Sequence, residues 1–335
     1  MTRYKANSPS RRGVLRGFAA GAALCLLGGT AAAASDFPNR AVTLVSPYQA
    51  GGGADGIGRA IAEAAAKVLG QPVVLEAKPG AEGMIGAMDI IRSKPDGYRL
   101  FWGGGGSMTT LPALRKKPPF DPVEAFTPIS GTVDFSFFLY VHPDFPANNL
   151  QEFVDHVKAN PGKYNYGTGN NTGLLTFAYL KDKYDLDIQH IAYKGESAVT
   201  NDLIPGRVHA LFATTSALPH AKNGDLKMLV TTLPERSELA PDVMTFKESG
   251  FEEIPFAPAG GWLGIFGPPG MDPAIQAHLH EAFDKALEDP HVQDMIRNAG
   301  LTHTPMTVPE LAEFVRSQRD QYIKLIHDLK IPQVD

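Results

Sequence analysis

The stretch Gly51-Gly52-Gly53-Ala54-Asp55-Gly56 could do chemistry without a reactive side chain. It follows the apolar run Ala41–Ser46 and opens a helical pattern, Ala54–Leu69, in which Ile57, Ile61, Ala65 and Val68 recur at helical spacing. A glycine-rich loop at a helix N-terminus aims free N–H groups and the positive end of the helix dipole at one point. That makes an anion site without Lys or Arg. Two occupants fit the pattern. Read as G-x-G-x-x-G, with Glu76 closing the next strand, it is the fingerprint of an exported NAD(P)-dependent oxidoreductase. The insert Pro47-Tyr48-Gln49-Ala50 opposes that reading, because the fingerprint needs a tight turn directly off the strand. A carboxylate held by the same N–H groups is the alternative. Asp55 is expected to be the N-cap of the helix.

Two further loops sit at strand-to-helix junctions. Thr168-Gly169-Asn170-Asn171-Thr172-Gly173 offers hydroxyl and amide groups, and Tyr193-Lys194-Gly195-Glu196-Ser197 offers a cation and an acid. Gly103–Ser107 also follows a strand pattern. Ligands of open α/β sheets bind at the carboxyl ends of strands, where all four segments lie. Enzymatic signatures are missing: there is no G-x-S-x-G and no H-E-x-x-H. His278 and His280, two apart on a helical pattern, point to different faces and cannot share a metal.

The elements that must position these loops read as two α/β units. Strands are expected at Ala41–Ser46, Pro72–Leu75 and Tyr98–Trp102, with helices at Ala54–Leu69 and Gly83–Arg92. This alternation implies a parallel sheet covered on both faces. The pattern restarts after a capping box at Asn149–Glu152, with strands at Tyr164–Tyr166, Gln189–Ala192 and Val208–Ala213 and helices at Leu174–Asp182 and Ser197–Ile204. Asp272-Pro273, Asp289-Pro290 and Thr307-Val308-Pro309-Glu310 announce three helix starts near the C-terminus. The Pro/Gly-rich segment Pro255–Gly270 reads as the return between the units. The expected lobes are 36–135 with 256–335, and 136–255.

Residues 1–34 read as a cleaved export signal: five basic residues, no acid, an apolar run from Gly17, and Ala32-Ala33-Ala34 before Ser35. Ser10-Arg11-Arg12-Gly13-Val14-Leu15-Arg16 is similar to a twin-arginine signal, although the general secretory route stays open. An uncleaved anchor is the other reading, weakened by the Gly and Ala content of the run. Cys25, the only cysteine, falls in this segment, and Leu24 before it argues against lipidation. The remainder therefore has no disulfide and no thiolate. Five of the 31 Lys and Arg lie in residues 1–34, leaving 26 against 36 acidic residues. That balance excludes a nucleic-acid partner.

Taken together, several stretches carry a resemblance. They include Phe37-Pro38-Asn39-Arg40, Pro47–Asp55, Gly70–Val74, Lys78–Gly83, Lys94–Tyr98, Asn160–Lys163, His190–Gly195 and Ala217–His220. In this order they resemble the substrate-binding proteins of tripartite tricarboxylate transporters, the Bug family, over essentially the whole chain after the signal. The resemblance implies a two-lobe periplasmic-binding-protein fold, type II-like, with the ligand cleft between the lobes. It implies a periplasmic binding protein that works with an inner-membrane permease; from the residues, no enzymatic activity, no cofactor and no bound metal are expected, and the protein is expected to be monomeric. The ligand would be a small carboxylate, aliphatic or aromatic. Tyr48, Gln49, Ala50, Gly51, Gly52, Gly53 and Asp55 would hold it on one side. Thr168, Gly169, Asn171, Thr172, Lys194, Gly195 and Glu196 would hold it on the other, with Ser107 and Thr214 completing the set. Tyr48 stands where the family usually has Phe, Ala192 where Pro is usual, and Ala213 where Asp often ends the strand.

Overall fold

The computed structural model describes residues 37–51, 53–254 and 261–335. The chain divides into units 1–39 and 40–335, and the second holds every element described here. The expected signal segment, its arginine pair and Cys25 lie outside the described residues, as does Gly52.

The first expected α/β unit forms with small shifts at its edges. β1 (Val42–Ser46) leads into α1 (Gly53–Leu69), β2 (Val73–Ala77), α2 (Met84–Ile91) and β3 (Arg99–Gly104). β1 pairs in parallel with β2 on one side and β3 on the other. Val42, Leu44 and Val45 are fully buried, as a strand covered on both faces requires. The second unit repeats this plan. After α3 (Leu150–Ala159) come β6 (Asn165–Thr168), α4 (Asn171–Tyr184), β7 (Gln189–Ala192), α5 (Glu196–Leu203) and β8 (Ala210–Ala213). β6 lies between β7 and β8, parallel to both.

The sheets are mixed rather than wholly parallel. The chain crosses once from β4 (Thr127–Phe135) to β5 (Phe138–Val141), with only Ser136 and Phe137 between them. It returns between β9 (Lys227–Thr231) and β10 (Trp262–Gly267). With β11 (Leu301–Thr304) the first sheet has the order β11-β4-β10-β3-β1-β2, and the second has the order β7-β6-β8-β5-β9. β10, β4 and β11 add antiparallel strands to the first sheet, and β5 and β9 do so in the second. The Pro/Gly-rich segment 255–270 therefore contains a central strand, not merely a connection. Glycine makes its neighbour possible: a Cβ on Gly104 would stand 1.8 Å from the Trp262 carbonyl oxygen.

All three C-terminal starts take the expected form. Asp272 accepts from the Ala274 N–H at the start of α6 (Pro273–Leu287), and Asp289 from the His291 N–H at the start of α7 (Pro290–Asn298). Thr307 and Glu310 form a capping box on α8 (Val308–Asp328). α8 serves both cores. Leu311 and Val315 pack with Phe101, Trp262 and Phe266 beneath the first sheet. Tyr322, Leu325 and Ile326 pack with Tyr166, Phe177 and Phe212 of the second. Phe177 stacks on Tyr166 at 4.0 Å and meets Phe212 edge-on at 5.0 Å.

Asp134, next to the end of β4, accepts from the Thr304 hydroxyl at 2.6 Å, while its other carboxylate oxygen is buried without a partner. Burial pushes its pKa up to about 6 against the Thr304 bond. An unfolded Asp titrates near ~3.9, so the native state binds the extra proton between the two values. The stability linked to that proton is present below the unfolded pKa, is lost as the pH rises to about 6, and stays lost above. Asp134→Asn should therefore raise the melting temperature more at pH 8 than at pH 4, measured by calorimetry; equal gains at both would contradict the assignment.

Candidate functional site

Both parallel triplets place their first strand in the middle. In each, the chain leaves that strand, adds a neighbour on one side and then returns to add one on the other. Such a switch point opens a crevice beyond the carboxyl end of the central strand. The crevices of β1 and β6 open onto the same cavity, of about 920 Å³. The first sheet contributes Pro47, Tyr48 and Gln49 after β1, Pro79, Gly80, Glu82 and Gly83 after β2, and Gly106 and Ser107 after β3. The second contributes Thr168–Thr172 after β6, Lys194 and Glu196 after β7, and Thr214 after β8. Phe135, Phe137, Gly261 and Trp262, from the two crossings, also line it, as do Ala54, Leu174, His190, Ala192 and Tyr193.

Ten of the sixteen candidate residues line this cavity: Tyr48, Gln49, Ser107, Thr168, Gly169, Asn171, Thr172, Lys194, Glu196 and Thr214. Ala50, Gly51, Gly53, Asp55 and Gly195 are not among the lining residues, and Gly52 lies outside the described residues. Asp55 is the clearest correction. α1 already begins at Gly53, so Asp55 is inside its first turn and is not the N-cap. Its buried carboxylate takes the Gly51 N–H at 2.9 Å and the Arg59 guanidinium at 2.9 and 3.2 Å. Burial opposes its ionisation, but the bonds from Arg59 and Gly51 outweigh it and hold the pKa below the usual carboxylate range. Asp55 thus folds the glycine loop back on α1 and uses one of the N–H groups expected to face an anion.

The polar groups left over define what the cavity can bind. The Tyr48 hydroxyl, the Gln49 and Asn171 amides and the Lys194 ammonium make no hydrogen bond or ion pair among the described residues. Burial raises the Tyr48 pKa, so its hydroxyl is a donor at any ordinary pH. Ser107 sits at the start of a π-helical turn, Gly106–Thr110, a distortion frequent at functional sites. Its hydroxyl makes only long contacts, 3.3 and 3.4 Å, to the Gly104 backbone. Lys194 is the only Lys or Arg among the described lining residues.

Other groups are spoken for. Thr168 Oγ1 and His190 Nε2 share a 2.6 Å hydrogen bond. Burial, with Lys181 nearby, depresses the His190 pKa and favours the neutral ring. Asn170 caps α4 by accepting from the Gly173 N–H at 2.6 Å. His190, Phe135, Phe137 and Trp262 were not among the sequence candidates. His190 sits on an ordinary strand, and the other three belong to crossings whose strands the sequence did not announce. Among the described residues no cluster of three or more His, Cys, Asp or Glu could hold a metal. Glu76, which the dinucleotide reading needs at a ribose, is bound to Arg99 at 2.9 Å and Lys78 at 3.4 Å and does not line the cavity.

Residues 57–331 match the family described as tripartite tricarboxylate transporter family receptor, TctC. The chain belongs to this family. A Cupriavidus necator relative, the UPF0065 protein in gbd 5'region, is 36% identical over 88% of this chain and 90% of its own. Among solved structures, the periplasmic binding protein BugD is 29% identical, covers 88% of this chain and 99% of its own, and superposes with a TM-score of 0.74. MatC from Rhodopseudomonas palustris with bound malate is 27% identical, covers 87% of this chain and all of its own, and has a TM-score of 0.72. The fold is therefore that of the periplasmic binding proteins, as the sequence resemblance implied. A TctC receptor is a solute-binding protein rather than an enzyme, and the oxidoreductase alternative finds no support. Among the described residues no helix is long and apolar enough to cross a membrane.

The two loops of the second sheet touch backbone to backbone. A Cβ on Gly169 would lie 2.2 Å from the Gly195 carbonyl carbon and 2.3 Å from the Glu196 nitrogen. Neither atom can swing aside as a side-chain tip would. Gly169→Ala should push the two loops apart, lower the melting temperature and speed hydrogen exchange in 195–203; unchanged exchange there would show that the contact does not set the loop.

Proposed function

We propose that this receptor is exported, loses residues 1–34, and captures a small organic carboxylate in the periplasm for an inner-membrane permease of the tripartite type. It does so as a monomer, without a cofactor and without chemistry on the ligand. One observation carries the reading: loops at the carboxyl ends of strands from both sheets surround one cavity, beside the N-terminus of α1. The first-turn N–H groups of α1 have no intrahelical partner, and a carboxylate there gains from the dipole about 0.3–1 kcal/mol, more when partly buried. Tyr48, Gln49 and Ser107 supply further donors from the same side, and Asn171 and Lys194 from the other. The malate bound to MatC supports a carboxylate in this kind of cavity.

The lobes follow the same logic. The first would comprise 36–135 and 256–335, the second 136–255. The turn between β4 and β5 at Ser136-Phe137 and the return between β9 and β10 support these boundaries. The C-terminal half of α8 reaches from the first lobe into the core of the second.

A thermal-shift panel of carboxylates, sugars, amino acids and metal chelates tests the ligand class. A ligand that binds only the native state raises the melting temperature with its concentration. Carboxylates should do so. Tyr48→Phe and Lys194→Ala should each weaken binding about tenfold, the loss expected for one hydrogen bond to a charged group. Stabilisation by sugars or chelates but by no carboxylate would overturn the proposal.

A further inference from the structure

Glu196 is an unusual residue to find in the wall of an anion cavity. Its carboxylate accepts four hydrogen bonds from neutral donors: Asn170 Nδ2 at 2.7 Å, Thr214 N at 3.1 Å, Thr214 Oγ1 at 2.6 Å and Ser216 Oγ at 2.5 Å. It makes no salt bridge with Lys or Arg among the described residues. It is also the first residue of α5, where the helix dipole favours a negative charge. Dipoles thus fix the charge in place without cancelling it. The field reaches the neighbouring core: the buried Tyr140 hydroxyl donates to the Thr214 carbonyl at 3.1 Å, and burial first, then the Glu196 charge, raises its pKa.

We infer that Glu196 selects against a second carboxylate, so that the receptor's ligand is a monocarboxylate bearing a hydroxyl, amide or ammonium donor at its far end. The inference rests on the reading that one ligand carboxylate lies at the N-terminus of α1. The far end of such a ligand meets the opposite wall, where Glu196 stands. Three of the four donors crowd Oε2, whereas Oε1 takes only Asn170. A carboxylate oxygen has about two lone-pair sites, so Oε1 can take one more donor. It has nothing to donate to another carboxylate, and like charges at contact distance repel strongly in a partly desolvated cavity.

The other charged groups do not reverse this. Glu82 adds a second negative charge on the first-sheet side, although it is 61% exposed and 3.9 Å from Arg115. Lys194 is an exposed side chain on a flexible stem, so solvent screens it more than the anchored Glu196. His190 favours the neutral form and has given one ring nitrogen to Thr168.

Calorimetric titration of the full mature chain with acids that differ only at the far end decides the matter: 4-hydroxybutyrate and 4-aminobutyrate against succinate, and 6-hydroxyhexanoate against adipate. In each pair the wild-type protein should prefer the donor-bearing acid by about tenfold or more, the scale of one like-charge contact at intermediate dielectric. Glu196→Gln should narrow that gap by about fivefold or more, chiefly by tightening the dicarboxylate. Dicarboxylates that bind as well as their partners, or better, overturn the inference while leaving the carboxylate reading intact. If no acid of any kind binds, both fail together. Should the Gln variant unfold, the wild-type ranking alone still decides, and Lys194→Ala adds a control: loss of dicarboxylate binding alone would assign the far end to Lys194 and overturn the role of Glu196.

Discussion

A central parallel strand with one neighbour added on each side leaves a crevice at its carboxyl end, and this chain builds that arrangement twice. The order β2-β1-β3 in one sheet is matched by β7-β6-β8 in the other. Each crevice collects the loop after its central strand and the N-terminus of the helix that follows. The double antiparallel crossing turns the two crevices toward one cavity. Many polar groups in the cavity wall are therefore backbone amides and short polar side chains, because those are what strand-to-helix junctions supply. The glycines follow as a consequence, since β10 must lie against Gly104 and the Gly195 backbone against Gly169.

The cavity handles charge economically. Asp55 is buried but paired with Arg59 and turned into the loop, so its charge is spent on shape. His190 is held toward neutrality by burial, and Thr168 is tied to it. Glu196 and Lys194 are two residues apart yet unpaired with each other, leaving one anchored anion and one exposed cation on the same wall. A site made of partial charges and one screened cation would hold an acid without gripping it irreversibly, which suits a receptor that must release its cargo. Each such contact would be modest, and their sum would depend on the ligand touching both walls at once.

Local signals were legible and tertiary ones were not. Asp272, Asp289 and Thr307 were readable as caps because capping chemistry is complete within four residues. The βαβ runs were readable because apolar strands alternate with helical spacing. β4 and β10 escaped because each carries residues that usually mark loops: Pro128 and Gly131 in one, and a Pro/Gly-rich approach with Gly264 in the other. They are strands because antiparallel neighbours on both sides satisfy them. The candidate loops were found by position alone. That Asp55 folds its own loop, that His190 pairs with Thr168, and that Glu196 gathers donors from Asn170, Thr214 and Ser216 all depend on contacts between distant segments. No spacing rule carries that information.

The crossings do more than join the sheets. Phe135 ends β4, Phe137 precedes β5, Gly261 precedes β10 and Trp262 opens it, yet all four line the cavity. An acid whose charged end sits at α1 would lay its carbon chain against these rings. The same residues would have to move if the sheets swung apart, since Ser136-Phe137 is the shortest link between them. α8 restrains that motion from behind. Its first half is packed in one core and its second half in the other, and about 30 Å of continuous helix does not bend cheaply. If the sheets swung apart, they would have to shear the packing of Tyr322, Leu325 and Ile326 or turn at the links beside the rings. A ligand resting on those rings would bias such an opening only through contacts that differ between the two forms, and the rings flank the Ser136-Phe137 link and the start of β10.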